Sequence, residues 1–480
     1  MADVQSRLQQ AFTLHRAGSL EQAAELYRSI LAEDPENADA LHLLGLALKT
    51  EGKMDEALGL MQRAIAANPT FGDAHYNLGN LYMGLGRNDE AIVHFRRAIA
   101  LKPELAEAYY NLGNTLRGLR DLEGAEAAFR DAIAARPAYV DAYHNLANVL
   151  SGQNRVEMAI ASYRRAIELK PDLAEAYYNL SLTLLVTGAI REGFELYERR
   201  WDVEGFPTPR RNFRQPTWDG TPMLGKTLLI HSEQGLGDTL QFLRYVSHAA
   251  QRLGGNVIFE TQKAVVDLAR RILPDATVLA QGEPLPAFDT AIPLLSLPRL
   301  LGTKINAVPY ASARPERVEK WRETIGAGGK LRVGIVWAGN PEHKNDHNRS
   351  LPIQALDGLP AGDRFRYFSL QMGGPRSTLP QTRVPMVDLG EQIQDFDDTA
   401  AVLSQLDLVI ACDTAIAHLA GALARPVWVL LPFAPDWRWQ MARPDSPWYP
   451  TMTLYRQDRR GDWATVIARV AADLKHRIGG

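Results

Sequence analysis

The sequence predicts an α-helical repeat array followed by an α/β region of two parallel-sheet halves, and three observations carry that expectation. Prolines stand at Pro35, Pro69, Pro103, Pro137 and Pro171, a spacing of 34 residues. From Thr227 onward, short apolar runs alternate with helical stretches, the rhythm of parallel strands joined by crossover helices. Between the two, Trp201 to Met223 is rich in proline, arginine and tryptophan and lacks helical periodicity, so it reads as a connector. At 480 residues one core is too few. The expected division is 1–200 for five repeats and a degenerate capping unit, 201–223 for the connector, and 224–320 and 321–480 for the two α/β halves.

In the repeat frame small residues recur at Ala23, Ala57, Ala91, Ala125 and Ala159, and again at Ala64, Ala98, Ala132 and Ala166, where two helices must approach closely. Leu44, Leu78, Leu112, Leu146 and Leu180 form another row, with Gly45, Gly79 and Gly113 beside it and Tyr27, Phe95, Phe129 and Tyr163 at the bulky position. This pattern resembles the tetratricopeptide repeat. The resemblance implies a superhelix of helix pairs with a concave groove for extended peptides. A sixth unit decays: Ser181 takes the glycine position and Arg200 the second alanine position. Asn77, Asn111, Asn145 and Asn179 also recur, each before the row leucine. Four carboxamides on one face are suited to grip a peptide backbone, or each bonds a neighbouring helix within the stack. The row resembles the asparagine ladder in the repeats of protein O-GlcNAc transferases, which favours the acceptor-peptide role.

Composition narrows the classes. Hydrophobic residues at 46% and charged residues at 23% describe a folded chain and exclude disorder as its main state. With 53 basic and 56 acidic residues, the net charge of -3 supplies no field for a polyanion, so no nucleic-acid partner is expected. The lone Cys412 excludes an intramolecular disulfide and a cysteine-rich zinc site, which fits a reducing compartment. The N-terminus lacks the charged-then-apolar order of a signal peptide, and the apolar stretch from Leu406 to Phe433 is interrupted by Asp413, His418, Arg425 and Pro426. A cytoplasmic protein without a membrane span is therefore expected. Self-association through an exposed end of the helical stack stays open.

In the second half the strand candidates are Thr227 to His231, Asn256 to Glu260, Arg332 to Trp337, Arg366 to Leu370, Val384 to Leu389, Leu408 to Cys412 and Val427 to Leu431, with a helix from Thr239 to Leu253. The break between halves is expected at 310–330, where a charged helical stretch runs into a Gly-rich turn. Two Rossmann-like halves then face a cleft, and ligands belong in the loops leaving the strands. Three loops carry chemistry. In Gly235 to Asp238 two glycines admit a ligand to the backbone, and Asp238 is either a general base or an ordinary helix cap. From Cys412 a strand runs straight into a helix, and the amides and hydroxyl around Thr414 suit a diphosphate. His418 faces the same end, as a site residue or as a capped, partly buried histidine. The third loop, from Trp337, gathers Asn340, His343, Lys344, Asp346, His347, Asn348 and Arg349 and either meets a ligand or is simply solvated.

The strand followed by GLGD, paired with DTAIAHLAGAL near the end of the chain, resembles the GT-B glycosyltransferases of the lipopolysaccharide heptosyltransferase type over about residues 224–475. Repeat arrays fused to such a domain resemble bacterial protein glycosyltransferases, including those that modify flagellin. The resemblance implies metal-independent, cofactor-free transfer from a nucleotide sugar to a Ser or Thr hydroxyl of a protein held by the repeats. Asp238 would be the catalytic base. Gly235, Gly237, Asn340, Lys344, Arg349, Gln371, Asp413, Thr414 and His418 would hold the donor, and Asn77, Asn111, Asn145 and Asn179 the acceptor peptide. The polar loop departs from the heptosyltransferases, so the donor need not be ADP-heptose. No DxD pattern is expected in the second half, in keeping with a metal-free donor site. The competing expectations are a repeat adaptor with an inactive nucleotide-sugar fold, and a glycan-directed transferase.

Overall fold

The computed structural model describes residues 2–303, 308–326 and 328–479. Residues 304–307 of the first expected α/β half, Ala327 of the expected Gly-rich turn, Met1 and Gly480 lie outside the described residues. The chain forms two compact units, Met1–Ala176 and Tyr177–Gly480.

The first unit is a superhelix of paired helices, from Ala2–Arg16 with Leu20–Glu33 to Val140–Gly152 with Val156–Leu169. The proline period sets where the second helix of each pair stops. A residue before proline is driven out of the α region, and Asp34, Asn68, Lys102, Arg136 and Lys170 all leave the helical backbone, with φ of -134°, -136°, -138°, -139° and -140°. Both alanine rows are wholly buried. The glycine row is explained by the ring that faces it. A Cβ on Gly79 would sit 2.8 Å from the Phe95 ring, and one on Gly113 2.7 Å from the Phe129 ring. The rings fill the space that the missing side chains leave, and the two rows are one packing device.

In the second unit, the division falls short of the expected repeat boundary at residue 200. Phe194 stands edge-on to Phe242 and Trp437, at 6.4 and 5.6 Å between centroids, so the expected capping residues pack into the α/β core. The connector is bound rather than loose: Trp218 is buried, its amide donates to the Ala291 carbonyl at 2.9 Å, and Thr290 Oγ1 donates to the Pro216 carbonyl at 2.8 Å.

Among the described residues ten strands follow: β1 (Thr227–His231), β2 (Asn256–Thr261), β3 (Thr277–Ala280), β4 (Thr290–Pro293), β5 (Leu331–Val336), β6 (Phe365–Ser369), β7 (Met386–Asp388), β8 (Leu408–Cys412), β9 (Val427–Leu431) and β10 (Met452–Arg456). They form two all-parallel sheets, ordered β3-β2-β1-β4 and β10-β9-β8-β5-β6-β7. The central strands β1, β8 and β9 are buried along almost their whole length, as strands covered by helices on both faces must be. Three strands carry no sequence expectation. β3 and β4 have only four residues each, and β10 follows directly on the turn after Pro450. The helix expected from Thr239 to Leu253 is two, Leu236–Phe242 and Arg244–Leu253.

The expected boundary at 320/321 runs through a helix, Pro315–Ile325, and therefore moves. That helix is pinned to the six-stranded layer by the buried carboxylate of Asp398, which accepts from the Trp321 indole at 3.1 Å, from Arg317 at 3.0 Å and from Lys320 at 3.2 Å. The sequence also holds a DxD pattern after all, Asp395-Phe396-Asp397. Both carboxylates are spent within the fold: Asp395 caps the helix Phe396–Gln405, and Asp397 pairs with Arg271 and Arg314. Among the described residues no helix is long and apolar enough to cross a membrane.

Candidate functional site

In the six-stranded sheet the strand order reverses between β5 and β8, and the loops that leave those two strands lie side by side at the switch point. These are the polar loop after Val336 and the turn after Cys412. Arg349 ties them together, its Nη1 donating to the Asp413 carbonyl at 3.2 Å and its Nε to Asp346 at 3.1 Å. Gly339 has to be glycine here: a Cβ would stand 2.5 Å from both Arg349 and Asp346.

The glycine loop after β1 meets the same place from the four-stranded sheet. A Cβ on Gly237 would lie 3.2 Å from the His418 ring and 3.7 Å from the Ala415 Cα, so the two loops touch through a bare backbone. Asp238 turns back to accept from the Gly235 amide at 2.8 Å through Oδ2. Its Oδ1 is ion-paired with Arg438. Arg438 is buried, also pairs with Asp436 at 2.7 Å and lies over the Trp437 ring at 4.3 Å. The flanking carboxylates outweigh the cost of burying its charge, and its pKa is raised rather than lowered. It is a fixed cation two hundred residues along the chain from the carboxylate it meets.

Asp413 opens the turn before the helix Ala415–Ala422, whose first amides have no partner inside the helix. Burial and the neighbouring Asp436 push its carboxyl up to about 6, into the range where it changes charge near neutrality. Thr414 does not cap this helix with its side chain; its hydroxyl donates to the Cys412 carbonyl at 3.3 Å. His418 is buried, stacked on Trp439 at 5.3 Å, with Nδ1 3.1 Å from the Tyr449 hydroxyl and Nε2 3.8 Å from Asp413. Burial, reinforced by Arg438 and Arg244, drives its pKa well down, so the ring is neutral.

The other expected site residues divide. Gln371 is buried and occupied: its Oε1 accepts from the Trp337 and Ala338 amides at 3.1 and 2.9 Å, and its amide donates to the Ala338 carbonyl at 3.0 Å. It shapes the β5 loop and has no free polar atom to offer a donor sugar there. The Gly235 amide is likewise taken, by Asp238. Asn340 is exposed and its side chain accepts from the Glu342 amide at 3.1 Å, while Lys344 is exposed in the same loop.

In the first unit the asparagine row is bonded along the stack. Asn77 Nδ2 lies 2.9 Å from His42 Nε2; Asn111 donates to Asn80 at 2.7 Å and to the Tyr76 hydroxyl at 3.3 Å; Asn145 repeats this with Asn114 at 2.9 Å and Tyr110 at 3.0 Å. The amide groups of these three therefore join repeat to repeat, the alternative that sequence left open. Asn179 belongs to the second unit.

Arg438, Asp436, Trp439 and Tyr449 carry no sequence expectation, although the run FAPDWRWQMARPD concentrates charged and aromatic groups at the end of β9. One more feature was not legible. The carboxyl ends of β1, β2 and β3 and the connector line an open cavity of about 420 Å³. Its floor includes Glu233, fully buried and held in two-point contact by Arg200 at 2.8 and 3.0 Å.

The repeats are tetratricopeptide repeats: family profiles so described match residues 8–70, 60–93, 80–119, 106–139 and 152–188. Among curated proteins, Protein FlbA of Caulobacter vibrioides is 26% identical over 325 residues, covering 61% of this chain and 53% of that one. The chain thus spans about half the length of that relative, and the shared part is larger than the repeats, so it extends into the α/β half. Among solved structures, MamA is 28% identical over 32% of this chain and 91% of its own, with a TM-score of 0.32. YrrB, described as a TPR protein with an unusual peptide-binding site, is 21% identical over 38% of this chain and 93% of its own, with a TM-score of 0.35.

Proposed function

We propose that the protein is a glycosyltransferase of GT-B type whose repeats recruit a protein acceptor, flagellin being one candidate, and whose α/β half moves a sugar from a nucleotide-sugar donor to a Ser or Thr hydroxyl. The reading is supported by the contact of the two loops, with Gly237 against His418 and Ala415. A carboxylate and a helix N-terminus within one bound sugar's reach supply the two halves of such a transfer. The carboxylate takes the acceptor proton, and the first-turn amides of Thr414, Ala415 and Ile416 stabilise the charge on the departing diphosphate. Asp238 has four lone-pair directions and spends two, on the Gly235 amide and on Arg438. The remaining ones are left to accept from an acceptor hydroxyl, and Arg438 fixes the carboxylate's position.

A second reading, the adaptor, draws on the same ion pair. A carboxylate already neutralised by a buried guanidinium is a structural latch if nothing displaces it, and tetratricopeptide repeats are a protein-binding scaffold in their own right.

A thermal-shift panel of nucleotide sugars separates the two. The matching donor, at 100 times its Kd, adds about 2.7 kcal/mol of stability. With that donor, D238N is expected to keep nucleotide affinity within about threefold and lose at least a hundredfold in transfer, followed by mass increase of the acceptor. Turnover by D238N at the wild-type rate removes Asp238 as the base. A panel with no shift at all leaves the adaptor.

A further inference from the structure

The cavity at the carboxyl ends of β1–β3 has no role in the transfer described above. We infer that it is a binding site for an uncharged, hydroxyl-rich group of the size of a monosaccharide. Its volume of about 420 Å³ lies within the roughly 300–1,000 Å³ of small-molecule sites.

Its lining decides the chemistry. Ser232, Glu260, Gln281 and Glu283 bring oxygens that accept, while Arg211, Gln281 and the Ser232 hydroxyl bring protons to donate. Gln281 Nε2 is placed by Ser232, donating to its carbonyl and its hydroxyl at 3.2 Å each. Arg211 is ion-paired with the buried Glu260. His231 is the telling residue. It is 5% exposed, lines the cavity, stands edge-on to Phe213 at 5.8 Å, and neither ring nitrogen has a hydrogen-bond partner among the described residues. The ring is nearly covered but its nitrogens are not sealed from solvent, so a group entering the cavity can take the place of water on them.

Each hydroxyl of a polyol both donates and accepts, and this mixture of groups matches that need. A diphosphate or carboxylate does not fit, because Glu260 and Glu283 face it with a single guanidinium, already paired, between them. An apolar ligand would leave the carboxylates dry. Burial and the nearby Arg211 and Arg200 push the His231 pKa down to about 3, so it meets a ligand as a neutral ring that gives and takes one hydrogen bond.

The test is ligand-observed saturation-transfer NMR on the full chain, with D-glucose and D-glucuronate as probes. Glucose is expected to show transfer and glucuronate at least tenfold less. H231F and Q281A should each abolish the glucose signal; Q281A changes an exposed residue, so it reads the site even if H231F fails to fold. Equal glucose signals in wild type, H231F and Q281A, or a preference for glucuronate, overturn the inference. The proposal does not rest on the transferase reading. Nucleotide-sugar binding without glucose binding refutes this site alone, and glucose binding without any nucleotide shift refutes the transferase alone.

Discussion

The repeat unit and the α/β unit use arginine, glycine and aromatic residues in opposite ways. In two repeats, 34 residues apart, a glycine faces a ring sixteen residues later, Gly79 against Phe95 and Gly113 against Phe129. In the α/β unit, Gly237 is bare because His418 lies against it, and Asp238 is held by Arg438. The first kind of contact is local and periodic; the second is brought about by two sheets whose loops converge. A one-dimensional stack makes each residue answer to its neighbours, whereas a pair of parallel sheets makes distant loop residues answer to each other.

The contrast can be broken most forcefully at Arg200. R200L strands the buried carboxylate of Glu233 and should cost roughly 3–5 kcal/mol in urea unfolding. Adding E233L should recover most of it, since two apolar groups replace a matched pair. A double variant no more stable than R200L would mean that the pair itself, and not the stranded charge, matters.

The repeats respond instead to pH. His42 is buried, and burial lowers its pKa to about 4, against 6.5 unperturbed. Above 6.5 it is neutral in both states and nothing is lost. Between 6.5 and 4 the unfolded chain binds the proton and the folded chain does not, so stability falls by roughly 2–3 kcal/mol on acidification. Tyr76 and Tyr110 occupy the same row and make the same bond to the next asparagine. H42Y should therefore keep the bond and flatten the part of the pH dependence due to this site. The remainder is shared by His94, lowered by burial and by His75 to about 4, and by other histidines that burial lowers, among them His15, His75 and His144 in the repeats and His231 and His418 in the α/β unit. Thermal melts of wild type and H42Y at pH 7.5 and 5 check this; parallel losses in both would refute it.

The smallest effect sharpens the glycine rule. G113A forces a methyl to within 2.7 Å of the buried Phe129 ring and should cost roughly 1–2 kcal/mol. In G45A the nearest atom is Met61 Cγ at 3.0 Å, on a flexible chain, and the helix gains from alanine, so stability should stay within about 1 kcal/mol of wild type. Ala147 holds the same position in its repeat and is buried, so the row accepts a methyl there.

Much of the architecture was legible from residues. The five-repeat array follows from the proline period, because the residue before each proline ends its helix. The seven strand candidates all correspond to strands; the central ones are legible because a strand buried on both faces is an unbroken apolar run, whereas the candidate Val384 to Leu389 shrinks to the three-residue edge strand β7. The three missed strands, β3, β4 and β10, all lie at sheet edges, and β3 and β4 have only four residues each. Of the candidate site, the glycine loop and the Asp413–His418 turn were legible, because glycines and a strand-to-helix turn have local signatures. Arg438 was not, since a guanidinium's partner two hundred residues away has no local trace. Gln371 shows the limit of such reading: a polar residue at a strand end reads as available, while its hydrogen bonds go to backbone that only the folded loop places beside it.

By itself the sequence determined what repeats: helix ends, buried small residues and the order of strands all follow from neighbours within a few turns of chain. The tertiary structure decided which charges meet, which amides stay free and where a cavity opens. Those depend on how strands order within a sheet and how two sheets bring their carboxyl ends together, distances that no spacing along the chain records.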